Sequence, residues 1–258
     1  PVRWQSVRAR VSSRPRVIRV RALAKINLSL RVLGIRPDGY HELRTTFQSV
    51  ALHDTLTLRA SGGPLSLLCD DPGCPADPSN LVWQAAERMW RAAGRRGAPT
   101  GVAIALAKRV PMQAGLGGGS SDAAAALRAL NVFWRLGLDD ARLHALARPL
   151  GADVPYFLEG GTVLGVDRGD ILYPLVDPPA AAVVLVVPAF GVSTKDAYGW
   201  WDDTFRTGGA RPGSPPRPSA WGLPEWGNDL EAPVVARHPA VGAIVRGLER
   251  EGARSEER

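Results

Sequence analysis

The run from Val110 to Ala126 places four glycines within five positions, Gly115-Leu116-Gly117-Gly118-Gly119, and passes through Ser120-Ser121-Asp122 straight into four alanines. Glycines free the backbone to take positive φ and let a bulky ligand approach the main chain, and the alanines open a helix. Ser120, Ser121 and Asp122 are suited to capping that helix. Unpaired N–H groups and the positive end of the helix dipole then converge on the glycines, the makings of an anion cradle. Read alone, the triplet fits a flexible turn before a surface helix better than a cradle. The apolar strand pattern before it and the helix pattern after it favour the cradle. No G-x-x-x-x-G-K-[ST] occurs, so a balancing cation must come from elsewhere in the chain.

With 258 residues and 45% apolar content, the chain can bury a full core as one large domain or two that share a sheet. No stretch approaches the roughly 18 apolar residues of a membrane span, and the arginine-rich start lacks the apolar centre of a secretory signal. Cys69 and Cys74 have no companion Cys or His cluster, so neither a structural zinc site nor a defining disulfide is expected, and a reducing cytoplasm is the natural setting. The net charge of +7 equals the seven arginines between Arg3 and Arg21, a segment without acids. The remainder is neutral. Such an arm could bind polyanions, but no stacking aromatics interleave the arginines and Trp4 stands alone, so nucleic acid is not expected as a partner.

Alternation from Val17 to Val32 predicts two strands or one long bent strand, with Ile26, Leu28, Leu30 and Val32 on one face and Lys25 and Asn27 on the other. Those two polar side chains are either edge decoration or groups aimed at a site. Pro37-Asp38-Gly39 is a tight turn that delivers Tyr40 and His41 to the strand Thr45 to Leu58; by itself such a pair fits packing. Leu65 to Leu68 reads as a short strand, and Asn80 as the cap of a helix from Leu81 to Ala93. Val102, Ile104 and Leu106 mark the strand before the glycines; the helix after them is predicted to reach about Gly137. Leu138-Asp139-Asp140 caps another helix. Asp153, a lone carboxylate among small and apolar neighbours and close to Pro155, must be paired or do chemistry, or else caps a helix or turn. Further strands are expected at Gly160 to Leu164 and, fully buried, at Val183 to Pro188. Gly199 to Gly227 reads as a long mobile loop, followed by helices at Asn228 to Ala236 and Ala240 to Glu251.

Taken in order, Ala24-Lys25-Ile26-Asn27-Leu28, Arg36 to Leu43, Pro111 to Ala124, Gly151-Ala152-Asp153-Val154-Pro155 and Asn228-Asp229-Leu230-Glu231 resemble one family, the 4-diphosphocytidyl-2-C-methyl-D-erythritol kinases of the GHMP superfamily. The glycine loop alone indicates only the superfamily; Asp-Gly-Tyr-His and Gly-Ala-Asp-Val-Pro narrow it, over roughly residues 16 to 253. The resemblance implies an α+β GHMP kinase fold: a basic extension over 1–15, expected to be disordered, a ribosomal-S5-domain-2-like N-terminal domain with the phosphate loop over 16–158, and a C-terminal α/β domain over 159–258. It implies transfer of the ATP γ-phosphate to the 2-hydroxyl of the methylerythritol unit, in the non-mevalonate pathway. Asp153 would be the general base and Lys25 its charged partner. Asn80, Pro111, Met112, Gln113, Ala114, Gly115, Leu116, Gly117, Gly118, Gly119, Ser120 and Ser121 would bind ATP. Asn27, Tyr40, His41, Thr194 and Tyr198 would bind the substrate, with Tyr40 stacked on cytosine, His41 reading its edge and Tyr198 closing the other face. Mg2+ is expected with ATP, without a protein-held metal site.

One departure is visible. The family continues after a Gly-Ala such as Gly252-Ala253 into a Met-Ser-Gly-Ser-Gly type motif and a closing strand, whereas Arg254 to Arg258 follow here. The C-terminal domain therefore looks truncated, and reduced stability and impaired turnover are expected. The alternatives are a GHMP kinase for another small alcohol and a non-catalytic module that binds polyanions through its N-terminal arm.

Overall fold

The computed structural model describes residues 17–206 and 227–253. The elements in chain order are β1 (Val17–Ile35), β2 (His41–Pro64), β3 (Ser66–Cys69), α1 (Leu81–Ala92), β4 (Thr100–Ala107), α2 (Gly118–Phe133), α3 (Asp140–Ala147), α4 (Val154–Glu159), β5 (Thr162–Asp167), β6 (Ile171–Pro174), α5 (Thr194–Arg206), β7 (Gly227–Asn228), α6 (Glu231–Arg237) and α7 (Pro239–Arg250). They make an α+β fold of two compact units. Of the described residues, the first holds 17–24, 49–111 and 117–161, and the second 25–48, 112–116, 162–206 and 227–253. The basic arm over 1–15 and most of the loop expected after Gly199 lie outside the described residues. Among those described, no helix is long and apolar enough to cross a membrane.

In the first unit the strand order is β3-β4-β2-β1, with β4 antiparallel to β2 (Leu58 opposite Ile104) and β3 parallel to β4. Alternation sends Leu56, Leu58, Val102, Ile104 and Leu106 to one face, where Val82, Met89, Leu127 and Leu130 from α1 and α2 close a core. Asn80 caps α1 as expected, its side chain accepting from Val82 N, and Asp139 caps α3 through Arg142 N. The cap of α2 differs from expectation. Gly117, at φ 68°, precedes the helix in the left-handed region, and Ser120, Ser121 and Asp122 lie inside the first turn. The turn closes at a residue without a Cβ, so the helix starts earlier than its hydroxyl-bearing candidates.

The second unit is ordered β6-β5-β2-β1-β7, with β5 antiparallel to β2 (Phe47 opposite Val163) and β7 parallel to β1 (Leu30 opposite Asn228). β1 is one continuous strand. Its alternation gives way over residues 24–30 to burial on both faces, so Lys25 and Asn27 are interior groups. Leu30 and Val32 pack with Ala197, Trp201, Leu230 and Val234. Asp229 fastens the edge of β1: its N–H donates to Leu30 O, and its carboxylate accepts from Val32 N at 2.9 Å and Arg31 at 2.8 Å.

Two expectations fail here. Residues 183–188 form no strand, and Val184 is 75% exposed. An apolar run becomes a strand only where a neighbouring edge takes up its backbone groups, and among the described residues none pairs with it. Residues 199–206 continue α5 rather than starting a loop. Burial of Ala197 and Trp201, one turn apart, outweighs the helix-weakening Gly199.

Candidate functional site

In the first unit β4 leads through Lys108-Arg109-Val110 into the glycine loop, and α2 leaves it. The amides of Gly118, Gly119 and Ser120 fall in the first turn of a 16-residue helix, where no preceding carbonyl can accept from them. Those donors and the helix dipole suit phosphate oxygens. Ser121 faces inward and donates to Leu23 O at 2.7 Å. The Gly151-Ala152-Asp153 stretch lies alongside: a Cβ built on Gly151 would be 3.9 Å from Ser120 Oγ. Asp153 is half-buried at the head of α4, two residues before Pro155, and its side chain makes no capping bond. A carboxylate in that condition is available to a ligand hydroxyl. Asn80 is committed in part, donating to Pro75 O at 2.7 Å while it caps α1.

Gly118 has little room for anything larger. A Cβ there would sit 3.1 Å from Val110 Cγ1 and 3.3 Å from Lys108 Nζ, both side chains buried. Gly118→Ala should therefore shift the first turn of α2 and weaken ATP binding about tenfold, although alanine is the better helix former. Calorimetric titration with ATP would show it, and unchanged affinity would refute it.

In the second unit a hydrogen-bonded chain runs through the buried strand residues. Lys25 Nζ donates to Asn27 Oδ1, Asn27 Nδ2 to Thr45 Oγ1 at 2.6 Å, and Thr45 Oγ1 to Ser29 O at 2.7 Å. The ammonium also lies 5.7 Å from the centre of the Phe47 ring. Lys25 is thus oriented by its neighbours, with its backbone N–H donating to Leu116 O of the glycine loop at 3.0 Å. The turn holds as expected: Gly39 adopts φ 82° and Arg36 N donates to Tyr40 O. His41 stacks on Tyr198 with ring centres 4.5 Å apart, meets Trp201 edge-on, and its Nε2 lies 2.8 Å from Asp202 Oδ1. Tyr40 is exposed, with the Arg168 guanidinium 5.0 Å from its ring centre. Thr194 begins α5, the helix that carries Tyr198.

The family model for the N-terminal domain of GHMP kinases matches residues 80–161. A 4-diphosphocytidyl-2-C-methyl-D-erythritol kinase from Synechococcus sp. (strain JA-3-3Ab) is 41% identical over 249 residues, covering 90% of this chain and 78% of that protein. The chain belongs to the 4-diphosphocytidyl-2-C-methyl-D-erythritol kinase family. A relative of the same name from Pelotomaculum thermopropionicum is 51% identical over 183 residues, 70% of this chain and 63% of its own length. The crystal structure of a 4-(cytidine 5'-diphospho)-2C-methyl-D-erythritol kinase superimposes with a TM-score of 0.63 at 35% identity, over 91% of this chain and 83% of that one. A homoserine kinase from Cytophaga hutchinsonii, 23% identical with a TM-score of 0.54, shares the fold.

Against this family background, several participants were not apparent from the sequence. Thr45 orients Asn27 across 18 residues of chain, and Asp202 reaches His41 across 161. Asp54 and Lys108 meet Asp122 beneath the glycine loop. Only Asp202 had a usable signal: Tyr198, Trp201 and Asp202, at i, i+3 and i+4, share one helix face.

Proposed function

We propose that this chain transfers the γ-phosphoryl group of ATP to the 2-hydroxyl of 4-diphosphocytidyl-2-C-methyl-D-erythritol, in the non-mevalonate route to isoprenoid precursors. Kinship with relatives of that name over most of the chain carries the reading. Phosphoryl transfer asks a protein chiefly for positioning and for stabilisation of charge. The glycine loop from Pro111 to Ser121 holds the triphosphate, with Asn80 near adenine. Asp153 takes the proton of the attacking hydroxyl, the hydroxyl oxygen bonds to the γ-phosphorus, and ADP leaves. Lys25 supplies positive charge to the transferring group. The aromatic cluster of Tyr40, His41 and Tyr198, with Asn27 and Thr194, recognises the cytidine ester.

Magnesium is expected with ATP as its counterion, and no step is routed through it. The unbridged Cys69 and Cys74 support a cytoplasmic setting. Labelled ATP with the cytidylylated substrate, homoserine and mevalonate in parallel tests the assignment. Label should pass to the cytidylylated substrate alone; transfer to another alcohol, or to none, would refute it.

A further inference from the structure

Beneath the glycine loop, within the first unit, lies a buried charge cluster that the reaction as described does not use. Lys108 Nζ donates to Asp54 Oδ2 at 2.5 Å and to Asp122 Oδ2 at 2.8 Å, and all three side chains are at least 95% buried. Asp54 uses its other oxygen to accept from Arg109 N at 2.5 Å and Val110 N at 2.8 Å. Lys108 N donates to Asp70 Oδ1 at 2.7 Å. Asp54 therefore fixes the backbone that leads into the loop, Asp122 belongs to the helix that leaves it, and Lys108 joins the two.

We propose that Asp54, Lys108 and Asp122 are positioning residues: a buried carboxylate–ammonium–carboxylate latch that ties the two ends of the glycine loop together and sets its affinity for the nucleotide's phosphates. The inference rests on the reading of that loop as the ATP site. Full burial of an ion cluster is costly unless geometry and hydrogen bonding are good, so its presence directly under Gly118 calls for a function.

The cluster also carries a proton. Burial raises the pKa of Asp122, Lys108 opposes that shift and Asp54 adds to it, leaving Asp122 at about 7. Its Oδ1 has no partner among the described residues, as suits a carboxyl that alternates between charged and neutral forms. Burial works to lower the pKa of Lys108, but Asp122 and Asp54 raise it above the usual range, so it stays an ammonium. The groups facing Asp122 are Lys108 after β4, Asp54 of β2 and the Cys74 thiol ahead of α1. On the packed helices, Glu87 and Arg91 of α1 pair with each other, Arg128 of α2 reaches Asp140 of α3, and His144 of α3 pairs with Glu159 of α4. Arg88 reaches Pro149 O, while Asp153 is not hydrogen-bonded to the cluster.

Two carboxylates and one ammonium give the latch a net charge of −1 when Asp122 is ionised and zero when it is protonated. An anion at the loop favours the protonated form, so ATP affinity should fall as pH rises through about 7. Asp122→Asn keeps the shape and removes the titration. Calorimetric ATP titrations of wild type and Asp122→Asn allow the nucleotide's own ionisation to cancel. The ratio of their dissociation constants should be near one at about pH 6 and rise to about fivefold, wild type weaker, at about pH 8.5. Lys108→Met should raise the KM for ATP much more than it lowers kcat, whereas general unfolding would depress both. A flat dissociation-constant ratio overturns the latch, whether or not Lys108→Met folds. Absence of ATP binding in the wild type would overturn the parent reading with it, so the two failures are distinguishable.

Discussion

Asp153→Ala is expected to lower kcat by about 10³-fold while leaving ATP affinity within a factor of about two, the magnitude associated with loss of a positioned general base. Asp153 sits half-buried at the start of α4, makes no side-chain capping bond, and shares its segment with Gly151, which packs beside Ser120 of α2. A carboxylate there can accept the hydrogen bond of an alcohol and take its proton. On the proposed reading, the loop meets phosphate through backbone amides, which truncation of Asp153 leaves in place. Asp153→Asn should fail to the same degree, since it keeps shape and polarity but cannot take the proton. Single-turnover and steady-state assays would separate these outcomes; turnover within tenfold of wild type in either variant would remove Asp153 from the chemistry.

Trp201→Ala is expected to destabilise the protein by about 3–5 kcal/mol, the range for removing a large buried aromatic side chain. Trp201 is 1% exposed and packs with Leu30, Val32, Leu230 and Val234, so α5 is seated on β1 largely through this ring. The same ring meets His41 edge-on at 5.8 Å, and the preceding turn of α5 supplies Tyr198 to the other side of His41. Loss of the indole should therefore also raise the KM for the cytidylylated substrate without a comparable change in the KM for ATP. Chemical denaturation and paired KM measurements test both effects. A loss below about 1 kcal/mol would contradict the packing assignment.

What could be read in the sequence was local. The strand periods of β1 and β4, the Asn80 and Asp139 caps and the Pro37-Asp38-Gly39 turn depend on residues a few positions apart, and each appears where its pattern lies. Family likeness drew attention to Lys25, but only the fold supplies the Asn27 and Thr45 groups that orient it. Asp54 is an ordinary acid in an ordinary strand until Lys108 meets it across 54 residues of chain. The apolar run after Val183 misleads for the opposite reason: composition suggests a buried strand, but hydrogen bonding requires a partner that the run itself cannot specify.

The Asp229 anchor carries a consequence for biosynthesis. Its bond to Val32 N spans 197 residues, so the edge of β1 near Leu30 is made early and receives its fastening only after most of the polypeptide has been synthesised. At ribosomal speeds of about 5–20 residues per second, that delay is about 10–40 seconds. During it an apolar strand margin stands open to other nascent chains, and a chaperone able to shield that margin should increase the yield of folded enzyme.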